Sequence, residues 1–272
     1  MSFAVVFGGG GGLGAYEIGV IDAMSRHELK PDLVVGSSVG ALNGAFWAFH
    51  PGPTASDELL RAWLEVDRSN VLWDSPVRWV RRLLSHHDHL LGHSAEQALI
   101  ARRFGPHTLI EEASFPIAIV ATDVDSGECV VLRQGNLATA LLATIAIPGL
   151  FAPVAIDGRR LVDGGVVANC SLEAVAAAGI RKVLVVDPIG DSRPASRGDL
   201  IIEFEHAVAL SLRRQTDLAI RAHADQMDVT LLRPALSWPP RLFDFSHTRE
   251  LFELGRAAGE GFVAQEQFLA VG

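Results

Sequence analysis

A serine framed by glycines, an aspartate followed by two glycines, and five consecutive glycines near the start could together do chemistry. The serine is Ser38, in Gly36-Ser37-Ser38-Val39-Gly40. An apolar run, Leu33-Val34-Val35, precedes it and small residues follow to Gly44, so the order reads strand, tight turn, helix. In that context Gly-x-Ser-x-Gly becomes a nucleophile elbow, a strained turn that needs neighbours without bulk. Gly36 and Gly40 meet that need. The helix behind Ser38 would aim free N–H groups and the positive end of its dipole at the reacting centre. The aspartate is Asp163, at the end of a hairpin's second strand and followed by Gly164 and Gly165, which let the chain turn sharply around a positioned carboxylate. A capping Asp in an ordinary turn has the same look. Asp123 and Asp187 are rival acids at strand ends, but neither is followed by Gly-Gly.

The glycine run, Gly8 to Gly12, continues through Leu13 to Gly14 and lies between an apolar strand, Phe3 to Phe7, and a helix from Ala15 to about Arg26. Backbone this bare can approach a ligand closely. The N–H groups of Gly9, Gly10, Gly11 and Gly12 are therefore candidates for holding an oxyanion, where one donor is worth about 3–4 kcal/mol. Gly9, Gly11 and Gly14 also fit the Gly-x-Gly-x-x-Gly of a dinucleotide site. That reading wants an acid at the end of the second strand to hold a ribose. Here that strand ends in Gly36-Ser37-Ser38, so the nucleotide reading fails at its most discriminating position.

Other elements must position these groups. Ile117 to Thr122 reads as a buried strand, with Glu128 to Arg133 its hairpin partner across Asp125-Ser126-Gly127. Asn136 to Ala146 reads as a short helix stopped by Pro148. Val154–Ile156 and Arg159–Val162 form a hairpin around the favoured Asp157-Gly158 turn, its second strand leading into Asp163. Lys182 to Val186 is the last clear strand of parallel type. A helix from about Leu200 to Asp225, a strand at Val229–Leu232 and a helix from His247 to about Phe268 follow. This alternation predicts an α/β fold, a three-layer sandwich around one mostly parallel sheet. Ligands of such sheets sit outside the carboxyl ends of the strands, where all three chemical elements fall.

The 272 residues carry no linker-like run and no internal repeat, so a single domain over 1–272 is expected. From about 56 to 107 the pattern is helical but irregular, and four of the five tryptophans fall between Trp47 and Trp79. This segment is read as a lid-like insertion over an acyl-chain channel. Within it Val77, Trp79, Val80, Leu83 and Leu84 share a face away from Arg78, Arg81 and Arg82. Two readings stand for that piece: a basic amphipathic helix in transient contact with a membrane, or a surface helix packed on the core.

The net charge of −9 argues against a nucleic-acid partner. Cys129 and Cys170 lie in no metal or redox spacing, and free thiols fit a cytoplasmic location. The ten histidines are scattered, and His86, His87, His89 and His93 read as a solvated loop, so neither a metal nor a cofactor is expected. The start has no basic residue before its apolar run and no sustained apolar core, so no signal peptide is expected there. Charge-free stretches from Leu33 to Phe49 and from Leu137 to Ile156 read as buried pieces, the second interrupted by Pro148, Gly149 and Pro153. No signal for an oligomeric state stands out.

Taken in order, Gly8 to Val20, Gly36 to Gly40 and Asp163 to Gly165 resemble the oxyanion, nucleophile and Asp-Gly-Gly signatures of the patatin-like phospholipases. Ala121-Thr122-Asp123, Ala146-Ile147-Pro148-Gly149 and the stretch from Phe243 to Thr248 look similar too, so the resemblance runs from residue 3 to about 260. It implies a Ser38–Asp163 dyad acting on acyl esters of lipids without a metal. Two positions depart from the family. Leu13 stands where Arg or Lys is usual, which predicts a preference for neutral or weakly charged esters over anionic phospholipids. Ser171 stands where Pro commonly follows Asn169 and Cys170. Two other readings remain: an α/β-hydrolase triad of Ser38, Asp163 and His247, and a catalytically silent lipid-binding relative.

Overall fold

The computed structural model describes residues 2–65, 94–190, 200–239 and 241–271. The middle of the expected lid, including Trp79 and the three arginines near it, and the histidines at 86, 87, 89 and 93 lie outside the described residues.

Eight strands form one sheet: β1 (Phe3–Phe7), β2 (Leu33–Ser37), β3 (Ile117–Asp123), β4 (Cys129–Leu132), β5 (Val154–Ile156), β6 (Arg159–Asp163), β7 (Lys182–Val186) and β8 (Asp228–Leu232). Their order is β5-β6-β3-β2-β1-β7-β8, with β4 pairing β3 off this path. The five strands from β8 to β3 are mutually parallel, whereas β4, β5 and β6 run antiparallel to their neighbours. Strand β8 is thus a further parallel strand beyond Lys182–Val186. The sequence marks it as a strand, but direction is decided by the crossover.

Phe3, Val5 and Phe7 of β1 join one apolar cluster, and Ala4 and Val6 join the other. The same alternation separates Ile117 and Ile119 from Ala118 and Val120 in β3. A strand covered on both faces has no polar side to show, which is why these segments read as unbroken apolar runs. On the larger face lie α1 (Ala15–Arg26), α2 (Val39–Phe49), α3 (Ala55–Leu64), α4 (Ser94–Phe104), α5 (Leu137–Thr144) and α8 (Thr248–Val271). On the other lies α6 (Leu172–Ala176), with the C-terminal part of α7 (Leu200–Ala222). No helix among the described residues is long and apolar enough to cross a membrane.

Two features of the sheet bear on the site. The β5–β6 hairpin turns on Asp157 and Gly158, both with positive φ (50° and 77°), as a primed two-residue turn requires. Strand β3 is shared: β4 occupies one edge, while β2 (opposite 117–120) and β6 (opposite 121–123) follow each other along the other edge.

Helices α1 and α8 approach closely through glycines. A Cβ on Gly255 would sit 1.8 Å from the carbonyl oxygen of Tyr16, and one on Gly19 would sit 2.0 Å from that of Phe252. Gly255→Val must therefore push the two helices apart. The expected loss is about 3 kcal/mol, the upper part of the usual range for overpacking, read as a lower urea midpoint with an unchanged slope.

Candidate active site at the carboxyl edge of the sheet

Ser38 has φ 53° and ψ −127°, a backbone state that costs a non-glycine residue roughly 1–3 kcal/mol. Its surroundings force it there. A Cβ on Gly36 would lie 2.5 Å from the Ala41 Cα, and one on Gly40 would lie 2.5 Å from the Phe7 carbonyl oxygen, so the elbow closes only with glycine at both places. The Ser38 N–H donates to Thr144 Oγ1 (2.8 Å), and that hydroxyl donates onward to the Val120 carbonyl. The Ser38 carbonyl accepts from the N–H groups of Ala41 and Leu42, starting α2.

The half-buried Ser38 hydroxyl donates directly to Asp163 Oδ2 at 2.6 Å. The other carboxylate oxygen, Oδ1, accepts from the Gly165 N–H at 2.8 Å. Thr122 Oγ1 donates to the Asp163 carbonyl at 2.9 Å, and the Asp163 N–H donates to Ala146. Gly164 lets this turn lie against β3, since a Cβ there would meet the Val120 carbonyl oxygen at 2.4 Å. Burial pushes the Asp163 carboxyl from 3.8 up to about 6, with the Ser38 and Gly165 hydrogen bonds pulling the other way. An acid near 6 is a far better proton acceptor at neutral pH than an exposed aspartate.

The glycine run passes over Ser38: a Cβ on Gly9 would lie 3.0 Å from the Ser38 Cβ. Two of its N–H groups are committed to holding it there. Gly9 donates to Asn169 Oδ1 (2.7 Å) and Gly12 to the Leu242 carbonyl (2.6 Å). The N–H groups of Gly10 and Gly11 have no acceptor among the described residues. Gly11 needs to be glycine on two counts, a φ of +55° and a Leu242 carbonyl oxygen that would stand 2.2 Å from its Cβ.

Several expected positions turn out otherwise. Leu13 is fully buried in the large apolar cluster, so its side chain faces the core. The reason is local: the Gly11–Gly14 turn is a 3₁₀ segment that directs residue 13 inward. His247 is not interposed between Ser38 and Asp163. Its ring stacks on Trp238 at 3.9 Å and its Nδ1 meets Glu250 at 2.9 Å. The rival acids have structural work: Asp187 is paired with Arg233 at 2.8 Å, and Asp123 shapes the β3–β4 turn by accepting from Asp125. Sequence reasoning missed Thr144, Thr122 and Asn169 as positioning residues. The signal for the last was its place in the family-like Asn169-Cys170 pair, six residues after Asp163. Among the described residues no three His, Cys, Asp or Glu side chains form a group that could hold a metal ion.

The class these features define is a three-layer α/β fold with a serine hydrogen-bonded directly to an aspartate at the carboxyl edge of the sheet. The chain belongs to the patatin-like phospholipase family, whose model matches residues 5–176. An uncharacterized NTE family protein of Mycobacterium tuberculosis is 32% identical over 199 residues, which cover 71% of this chain and 51% of the relative. Lysophospholipase NTE1 of Mycosarcoma maydis is 28% identical over 203 residues, 74% of this chain but 10% of that protein. The chain therefore spans about half the length of the first relative and about a tenth of the second. VipD from Legionella pneumophila shares the fold with a TM-score of 0.55 at 13% identity, over 97% of this chain and 67% of that one. Human GIVD cytosolic phospholipase A2 does so with a TM-score of 0.54 at 13% identity, over 99% and 59%.

The raised Asp163 pKa has a stability consequence. Between pH about 4 and about 6 the folded state keeps the Asp163 proton while the unfolded chain releases it. Stability contributed by this group is fully present below its unfolded pKa and is lost as pH rises through about 6. Two pH units correspond to about 3 kcal/mol. Asp163→Asn removes the titration, so its stability relative to wild type should improve by about that much between pH 4 and pH 8. Chemical denaturation at both pH values checks this; a constant difference would mean that Asp163 titrates normally.

Proposed function

We propose that this chain is a serine acyl hydrolase that cleaves acyl esters of lipids with Ser38 as nucleophile and Asp163 as its base. The observation that carries the proposal is the 2.6 Å hydrogen bond from the Ser38 hydroxyl to Asp163, with no third group between them. Membership of a phospholipase family and a relative named lysophospholipase support a lipid ester as the substrate class.

In this reading Asp163 takes the Ser38 proton as the oxygen attacks the ester carbonyl. The Gly10 and Gly11 N–H groups, left without acceptors, receive the oxyanion; Gly9 and Gly12 position the loop rather than donate to substrate. Asp163 returns the proton to the departing alkoxide, and water repeats the cycle on the acyl-enzyme. The Gly165 N–H holds the far carboxylate oxygen, so the near one stays aimed at Ser38. A cytoplasmic site of action fits the free thiols of Cys129 and Cys170.

Ser38→Ala and Asp163→Asn should each abolish hydrolysis of a lysophospholipid or neutral glyceride without unfolding the protein. His247→Ala should stay within roughly tenfold of wild type, because no triad runs through it. Loss of activity in His247→Ala equal to that in Ser38→Ala would replace the dyad with a triad. A chain that neither hydrolyses a panel of acyl esters nor labels at Ser38 with a fluorophosphonate would be a catalytically silent lipid binder.

The base must be ionised to work. The rate on a soluble acyl ester should therefore climb with pH through an apparent pKa of about 6 and level off above it. A limb near 4 would show that the carboxylate is not buried during turnover.

A further inference from the structure

Helix α7 has a buried side, with Glu205, Ala209, Leu212 and Thr216, and an outward side of unusual composition. Facing solvent are Phe204 (66% exposed), Leu210 (46%) and Leu218 (49%), with Ala207 and Ser211 between them. Phe204, Ser211 and Leu218 recur every seven residues and so lie on one line. Arg214 and Arg221 share this side, and neither forms an ion pair among the described residues. The acid in that stretch, Asp217, is turned to Arg233 at 2.8 Å. Arg214 and Arg221 flank exposed apolar side chains, with Glu203 the exposed acid at the start of this side. The two cations, without ion pairs among the described residues, make a local exception to the anion repulsion expected of a chain of net charge −9.

The patch extends toward the site. Val166 (47% exposed) and Val167 (37%) follow Asp163-Gly164-Gly165 directly. Gln215 of α7 donates to the Gly165 carbonyl at 3.0 Å and fixes that segment beside the helix.

We propose that the outward side of α7, with Val166 and Val167, docks on the surface of a bilayer containing anionic lipid. Phe204, Leu210 and Leu218 enter the acyl boundary while Arg214 and Arg221 meet phosphate head groups, the arrangement of an interfacial helix. The proposal rests on the lipid-ester reading of Ser38 and moves the expected membrane contact from the arginine-bearing segment around Trp79 to α7.

Binding is measured on the Ser38→Ala protein, so that it does not depend on turnover. Flotation with phosphatidylcholine vesicles, with and without phosphatidylglycerol, should show partitioning that is stronger with the anionic lipid. Phe204→Ser with Leu218→Ser should lower the partition coefficient about tenfold or more, and Arg214→Gln with Arg221→Gln should remove the anionic preference. Circular dichroism checks that both variants remain folded. Unchanged flotation in both folded pairs overturns the proposal. So does absence of flotation with a dimer, seen by light scattering, that the Phe204/Leu218 pair dissolves, since the face then seats a second copy. Wild-type protein that floats but hydrolyses no acyl ester would sink the catalytic reading and leave the docking surface standing.

Discussion

Strand β3 has two partners along one edge, and the site depends on how they meet. β2 runs parallel to it and stops at Ser37, opposite Val120. β6 arrives antiparallel along the same edge and stops at Asp163, opposite Ala121. The two strand ends therefore face each other across one register step, and whatever follows each is brought together. After β2 that is Ser38, and at the end of β6 it is Asp163. An antiparallel strand would ordinarily deliver its last residue to the opposite end of the sheet. Here β6 pairs only with the last residues of β3, beyond the end of β2, so it delivers its carboxylate to the same edge as the parallel strands.

Convergence of two strand ends creates a crowded point, and the glycines answer it. Gly36, Gly40 and Gly164 each stand where a Cβ would press on backbone closer than 2.6 Å. Crowding also excludes water, which leaves Asp163 with few ways to stabilise its charge. Its two hydrogen bonds lower its pKa less than burial raises it, and the result is a carboxyl near 6. The same packing therefore forces Ser38 into a strained backbone state and tunes the acid beside it. Two threonines hold the assembly: Thr144 meets the Ser38 N–H, and Thr122 meets the Asp163 carbonyl.

Much of this is legible in the chain because it is local. The elbow, the Asp-Gly-Gly turn and the Asp157-Gly158 hairpin announce themselves within a few residues, and the central strands do so by apolar runs that only a doubly covered sheet needs. What is not legible joins distant residues. Thr144 lies 106 positions from Ser38, and nothing in Ala143-Thr144-Ile145 marks its hydroxyl as the partner of a strained amide. Asn169 reaches Gly9 across 160 positions. Leu13 misleads for another reason: in a glycine-rich 3₁₀ turn no periodicity tells which way a side chain points, and this one points into the core. His247 meets the criterion of a loop-to-helix junction, but its partners, Trp238 and Glu250, are neighbours that fix it as a local clasp.

One side chain links the proposed docking helix to both halves of the site. Gln215 of α7 accepts from the Asn169 N–H at 3.1 Å and donates to the Gly165 carbonyl at 3.0 Å. Asn169 in turn accepts from Gly9 in the glycine loop, and Gly165 donates to Asp163. The loop carrying the candidate oxyanion donors and the Asp163 carboxylate are thus each two hydrogen bonds from the same glutamine. A helix lying on a bilayer fixes its own height and tilt relative to the lipid ester carbonyls. In the proposed docking, these short hydrogen-bonded ties would carry that placement to Ser38 and Asp163 without requiring either to move.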